Sequence, residues 1–166
     1  MKQTVIALLM TLLLATVSTA ATTVKSRVGP NGEKSWAFIP FGDGQTLITL
    51  SWSKRSADMF VVLSCVIDGD EIIFGTGAAI QDRIQRIESG AFGDTCFVGV
   101  SSFSGSSAFR LSVESGIGDV LTASAAIPSA DGNSVLSGYL VAVGPEQAPE
   151  LSKTMERLRR GRSAFH

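Results

Sequence analysis

Residues 46–65, TLITLSWSKRSADMFVVLSC, hold two different kinds of strand separated by a turn. In "TLITLSW", Ile48, Leu50 and Trp52 alternate with Thr49, Ser51 and Ser53. That period of two suits a strand with one buried face. "KRSAD" has turn chemistry. "MFVVLSC" is then apolar on both faces, so it belongs in the middle of a packed sheet, with Met59, Val61, Leu63 and Cys65 sharing one side. A half-wet strand followed by a dry one points to an all-β fold.

The neighbouring segments repeat the pattern. "SWAFIP" is a short strand closed by Pro40, after a turn at "GPNGE" (Gly29–Glu33); "FGDGQ" is another turn. "VIDGDE" turns the chain into "IIFGTG". "TCFVGVSSF" groups Cys96, Val98 and Val100, and "AFRLSVES" sets Phe109, Leu111 and Val113 inward against Arg110, Ser112 and Glu114. "DVLTASAAI" and "SVLSGYLVAVG" are further strand candidates around Pro128 and the "DGN" turn at Asp131–Asn133. Segment 78–88 is open between strand and helix, because Ile80, Ile84 and Ile87 fall at helical spacing among strands; it is taken as a strand with a loop. One helix is expected from Pro149 or Glu150 to Arg160, stopped by Gly161. The expected architecture is all-β: an antiparallel β-sandwich or jelly roll of about eight strands with a short C-terminal α-helix.

The first residues, MKQTVIALLMTLLLATVSTA, combine Lys2, an apolar run and small residues Ser18 and Ala20 at the positions a signal peptidase reads. The expected organisation is a signal peptide over 1–20, a single sandwich domain over 21–150 and a basic helix or tail over 151–166, in a secreted or periplasmic protein. No second long apolar run follows, so no transmembrane segment is expected after signal removal.

The overall formal charge is −1, but it is unevenly placed. Residues 21–150 carry 8 Lys and Arg against 14 Asp and Glu, whereas 151–166 carry Lys153, Arg157, Arg159, Arg160 and Arg162 against Glu156. The body is expected to repel nucleic acid, leaving the tail as the only part to attract a polyanion. Those five basic residues are the candidate partner-binding set. Leu151, Met155 and Leu158 fall at i, i+4 and i+7 among them, which fits a helix capping the sandwich or one docking on a partner or envelope surface.

The chain has two cysteines, and two cysteines in an exported chain most simply form one disulfide. Cys65 and Cys96 each share a face with core residues, so both point inward. A catalytic thiolate needs a base, and the only histidine is His166 at the end of the chain. Two cysteines and that histidine do not supply a four-ligand zinc site. "SWSK" matches S-x-x-K without its companion motifs, and no G-x-S-x-G, Walker loop, H-E-x-x-H or C-x-x-C occurs. No catalytic residue is assigned. Asp58, Asp68 and Asp70 are calcium candidates, with Asp43 and Asp94 as further loop carboxylates, although "DGDE" is also ordinary turn composition. Trp36 and Trp52 suit core packing better than a sugar platform, since each shares a face with apolar residues.

"FGDGQTLITLSWSKRSADMFVVLSC" followed by "GAFGDTCFVGVSSFSGSSAFRLSVES" resembles the bacterial pre-peptidase C-terminal domain over residues 38–114. Asp58 with Phe60 and Leu63 follows that family's aspartate-marked strand. Gly93, Cys96, Val98, Val100, Phe103, Gly105, Phe109, Leu111 and Val113 follow its closing motif. The second aspartate of the family's strand is replaced by apolar residues, which weakens a calcium site carried over from it. The resemblance implies a jelly-roll-like module that assists export, folding or substrate binding of secreted enzymes without catalysis. The expected function is therefore an exported, non-catalytic β-sandwich with one disulfide and no cofactor beyond candidate calcium, binding a protein, glycan or envelope surface. A docking factor working through the basic helix is the alternative, and a small secreted hydrolase of unrecognised type is the enzymatic one.

Overall fold

The computed structural model describes residues 20–40, 45–90, 95–117, 126–128, 134–136 and 140–163. The expected signal segment up to residue 19, the "DGN" turn, Asp43, Asp94, the side chain of Arg162, and His166 lie outside the described residues. Strands run β1 (Ala20–Val28), β2 (Glu33–Phe38), β3 (Gln45–Trp52), β4 (Asp58–Ile67), β5 (Asp70–Thr76), β6 (Ala78–Gln81), β7 (Ile84–Gly90), β8 (Thr95–Ser104) and β9 (Ser107–Ile117). Three short strands, β10 (Ala126–Pro128), β11 (Ser134–Leu136) and β12 (Val141–Val143), precede helix α1 (Pro149–Ser163).

Two five-stranded antiparallel sheets face each other, in the orders β1-β9-β3-β7-β6 and β12-β2-β8-β4-β5. The pairings are nested: β4 with β5, β3 with β7, β2 with β8, β1 with β9. The pairs β3–β9 and β4–β8 join them into sheets. A long hairpin rolled up in this way is a jelly roll, and eight of the strands make it. β6 and β12 extend one edge of each sheet, and β10 and β11 form a separate hairpin.

The core between the sheets gathers the inward residues that alternation predicts: Ile48 and Leu50 from β3, Met59, Val61 and Leu63 from β4, Val98 and Val100 from β8, Leu111 and Val113 from β9. Trp36 packs edge-on against Phe109, with ring centroids 5.9 Å apart. Trp52 is only partly buried, at the rim of this core, where its Nε1 donates to the carbonyl of Ala57 at 2.8 Å. Cys65 stands directly opposite Cys96 in the β4–β8 register, and the two form a disulfide.

Several elements differ from expectation. Residues 20–28 form an edge strand although few are apolar; among its described side chains, Val24 and Val28 are the apolar residues facing the core. Segment 78–88 is strand with a loop, as taken, and forms a hairpin whose register shifts between Ala79 and Gln81. That irregularity leaves Ile80 exposed while Ile87 is buried, which explains how isoleucines at helical spacing arise in strands. Within the two late strand candidates the described residues form β10, β11 and β12, and 119–125 and 137–139 lie outside the described residues. Helix α1 does not stop at Gly161 but continues to Ser163. Nothing lies within 4 Å of where a Gly161 Cβ would be, so no contact there imposes a left-handed end.

α1 adds a third layer. Leu151 and Met155 are fully buried against Ala37, Phe60, Val62 and Phe97, on the face of the β2-β8-β4 sheet that points away from the sandwich core. This explains why β4 is apolar on both sides. The close approach requires Gly99 in β8: a Cβ there would lie 2.6 Å from Met155 Sδ and 3.1 Å from Leu151 Cδ2.

Two outcomes follow. Gly99→Val should destabilise the protein by roughly 1–3 kcal/mol in urea unfolding and expose 149–163 to limited proteolysis; unchanged stability and protection would contradict the packing. Replacing both cysteines by alanine should cost about 3–4 kcal/mol while leaving the circular dichroism of the folded state unchanged.

Candidate functional site

The helix start explains the acidic turn. Ser152 N donates to the carbonyl of Ala148, which places an alanine where a capping side chain would stand. Glu71, from β5, supplies the missing acceptors: Oε2 takes the amide of Glu150 at 2.8 Å and Oε1 that of Leu151 at 3.0 Å. Ser64 Oγ also donates to Glu71 Oε1 at 2.6 Å. Pro149 needs no acceptor, having no N–H. A carboxylate here also meets the positive end of the helix dipole. Further along, Glu33 accepts from Ser152 Oγ at 2.8 Å and pairs with Arg159 at 3.0 Å, while Arg159 Nη1 donates to the carbonyl of Asn31 at 2.6 Å.

The calcium candidates do not converge. Asp58 opens β4, whereas Asp68 and Asp70 follow its far end, so a ten-residue strand separates them by about 30 Å. Asp68 and Gly69 form the two-residue turn of the β4–β5 hairpin, with φ of 53° and 88°. Both angles suit the type I′ geometry for which Asp-Gly is a preferred pair. Among the described residues no group of three or more His, Cys, Asp or Glu side chains gathers to hold a metal ion.

The basic residues of α1 are divided in use. Lys153 pairs with Glu150, Arg160 with Glu156, and Arg159 with Glu33 in a partly buried position. Arg157 is exposed and has no ion-pair partner among the described residues. It borders a groove of about 430 Å³ between the end of α1 and the sheet, together with Phe60, Thr76, Gln85, Phe103 and Leu158. Phe60 and Phe103 stack with centroids 4.2 Å apart. Gln85 is anchored through its Nε2, which donates to the Met59 carbonyl at 2.9 Å, while its Oε1 is buried without a hydrogen-bond partner. The groove thus offers an apolar floor and one cation. Sequence reading named Arg157 but not Phe60, Phe103 or Gln85 as neighbours, since they come from β4, β8 and β7. No helix among the described residues is long and apolar enough to cross a membrane.

Fold and site together define a jelly-roll β-sandwich with a docked C-terminal helix. No family model matches the chain, and no curated protein matches its sequence. Among solved structures the chain is similar to a Yersinia pseudotuberculosis-derived mitogen, with a TM-score of 0.51 and 15% identity over 64% of this chain and 97% of that one. At that identity the likeness concerns the fold alone.

Glu71→Ala should lower stability by about 1–2 kcal/mol by orphaning two helix amides and the Ser64 hydroxyl. Asp70→Ala, one residue away but exposed, should stay within about 0.5 kcal/mol of wild type. Equal effects in thermal unfolding would contradict the cap.

Proposed function

We propose that this protein is an exported, non-catalytic binding module that takes an acidic, partly apolar peptide segment of another protein in the groove beside α1. The observation that carries the proposal is Arg157, without an ion-pair partner among the described residues and set beside the Phe60–Phe103 stack. A peptide carboxylate complements the guanidinium, and an apolar side chain suits the phenyl rings. Export is supported by the signal-like first residues and by a disulfide, which persists in oxidising compartments. A non-catalytic role is supported by both cysteines being consumed in that disulfide and by the single histidine lying at position 166. The resemblance to pre-peptidase C-terminal domains supports the same accessory role.

Docking on an envelope surface through the helix is less favoured. The apolar stripe it needs, Leu151 and Met155, is already spent against the sheet, and membrane insertion would require undocking.

An array of short peptides with free or amidated acidic ends should yield binders to the purified protein, and Arg157→Glu should weaken them at least about tenfold by reversing a charge-assisted contact. Arg160→Glu, at a residue already paired with Glu156, should change affinity far less. Absence of any acidic binder, or equal binding by Arg157→Glu, defeats the proposal. Co-sedimentation with anionic vesicles in place of peptide binding would instead favour the docking alternative.

A further inference from the structure

The body of the chain is acidic by count, yet its cations are not dispersed. Six of its eight Lys and Arg residues, Lys25, Arg27, Lys54, Arg55, Arg83 and Arg110, come together at one end of the β1-β9-β3-β7 sheet. The register places Lys25 opposite Arg110, and Arg110 opposite Ser51. Arg27 lies two residues from Lys25 on the same exposed face, opposite Ala108. Arg83 donates to the carbonyl of Ser53 at 2.8 Å, which ties the β6–β7 turn to this corner, and the Lys54 amide bonds Ser107 Oγ at 3.0 Å. The carboxylates nearby are Asp82, shared by Arg55 and Arg83, and Asp58 at the start of β4. Lys25, Arg27 and Arg110 have no ion-pair partner among the described residues.

Like charges directly opposite each other on neighbouring strands destabilise a sheet. Lys25 facing Arg110 is such a pair, and an anion set between them reverses the sign of the interaction. Beside them is an open hollow of about 320 Å³ whose lining includes Lys25, Ser51, Ser53 and Arg110. Ser51, opposite Arg110 on the same outward face, adds a hydroxyl beside the paired cations, which suits a sugar that carries sulfate or phosphate.

We propose that this outer face, centred on Lys25, Arg27 and Arg110, binds a sulfated or phosphorylated polysaccharide, with one ring in the hollow beside Ser51. A nucleic acid is the poorer occupant. Its long uniform backbone would run from the cationic corner onto a body that is otherwise strongly acidic, whereas a flexible glycan engages the corner alone. The surface is separate from the groove at α1 and does not depend on that groove's ligand.

Dextran sulfate is the probe, with neutral dextran of the same length as reference. The wild-type protein should bind the sulfated polymer and not the neutral one, with affinity falling as salt rises. The double substitution Lys25→Ser/Arg110→Ser should weaken binding at least about tenfold and flatten the salt dependence. Its thermal midpoint without probe should equal or exceed that of wild type, since a repulsive pair is gone. Lys153→Ser/Arg160→Ser removes the same formal charge from α1 and should alter binding by no more than about twofold. Arg27→Ser provides a second, single substitution with the same expected direction. Equal binding by the corner variants overturns the proposal, as does an equal loss in the α1 variant, which would mean attraction by diffuse charge. A single-stranded oligonucleotide of matched charge binding as tightly as dextran sulfate overturns the choice of a glycan.

Discussion

β4 and β8 lie side by side in antiparallel register, and neither has a wet face along most of its length. On one side Met59, Val61 and Leu63 meet Val98 and Val100 inside the sandwich; on the other, Phe60, Val62 and Phe97 meet α1. A sheet with two dry faces needs a layer on each. The opposite sheet supplies one and the helix the other. The Cys65–Cys96 bridge ties the same two strands together and shortens the accessible unfolded chain across 31 positions. The nested pairings then hold the outer strands in place around this centre. Gly99 permits the helix to come close, and Glu71, two strands from Gly99 in the same sheet, provides the helix with its cap. Helix and sandwich are therefore one packing problem, even though the charge pattern along the chain suggests a body and an appended tail.

Much of the architecture was legible because strand faces announce themselves by alternation. Ile48 with Leu50, Cys96 with Val98 and Val100, and Phe109 with Leu111 and Val113 all fall on one core face as their parity requires. Parity fails where the backbone breaks it. The irregularity at Ala79–Gln81 separates Ile80 from Ile87, and no composition cue marks such a bulge. β1 escaped for a different reason: an edge strand with two inward valines has too little apolar signal to stand out, although the residues between them do alternate in exposure. The helix runs past Gly161 to Ser163 because glycine within a helix is only unfavourable, by about 1 kcal/mol, and does not by itself stop one.

The sites were harder to read for a simple physical reason. A side chain's neighbours across a sheet are set by register, and register is a property of two distant segments at once. Lys25 and Arg110 are far apart in sequence yet face each other, so a net charge taken over residues 21–150 averages away the concentration that matters. The same holds for Arg157, whose companions arrive from four strands. Glu71 was available to inference in part. Ala148 before Pro149 cannot cap a helix with its own side chain, and an end that docks on a sheet needs acceptors from elsewhere. A nearby acidic turn was the natural source.

The division of labour in α1 limits how its basic residues can be studied. Leu151 and Met155 are as buried as the centre of the sandwich, so removing residues 151–166 would bare Phe60, Val62 and Phe97 to water. Fully burying a side chain of this size contributes about 1.5–3 kcal/mol, and the two together approach a sizeable share of a small domain's stability. Any binding lost on truncation would then be confounded with loss of the fold. Arg159 carries the same ambiguity on a smaller scale, because it fastens the helix to Glu33 and to the Asn31 carbonyl. Arg157 does not: it is exposed, holds no internal partner among the described residues and faces the groove. Binding can be separated from folding at Arg157, and among the described side chains the basic residues of the helix are one clamp at Arg159, two intrahelical pairs at Lys153 and Arg160, and one cation without an ion-pair partner rather than a uniform charged tail.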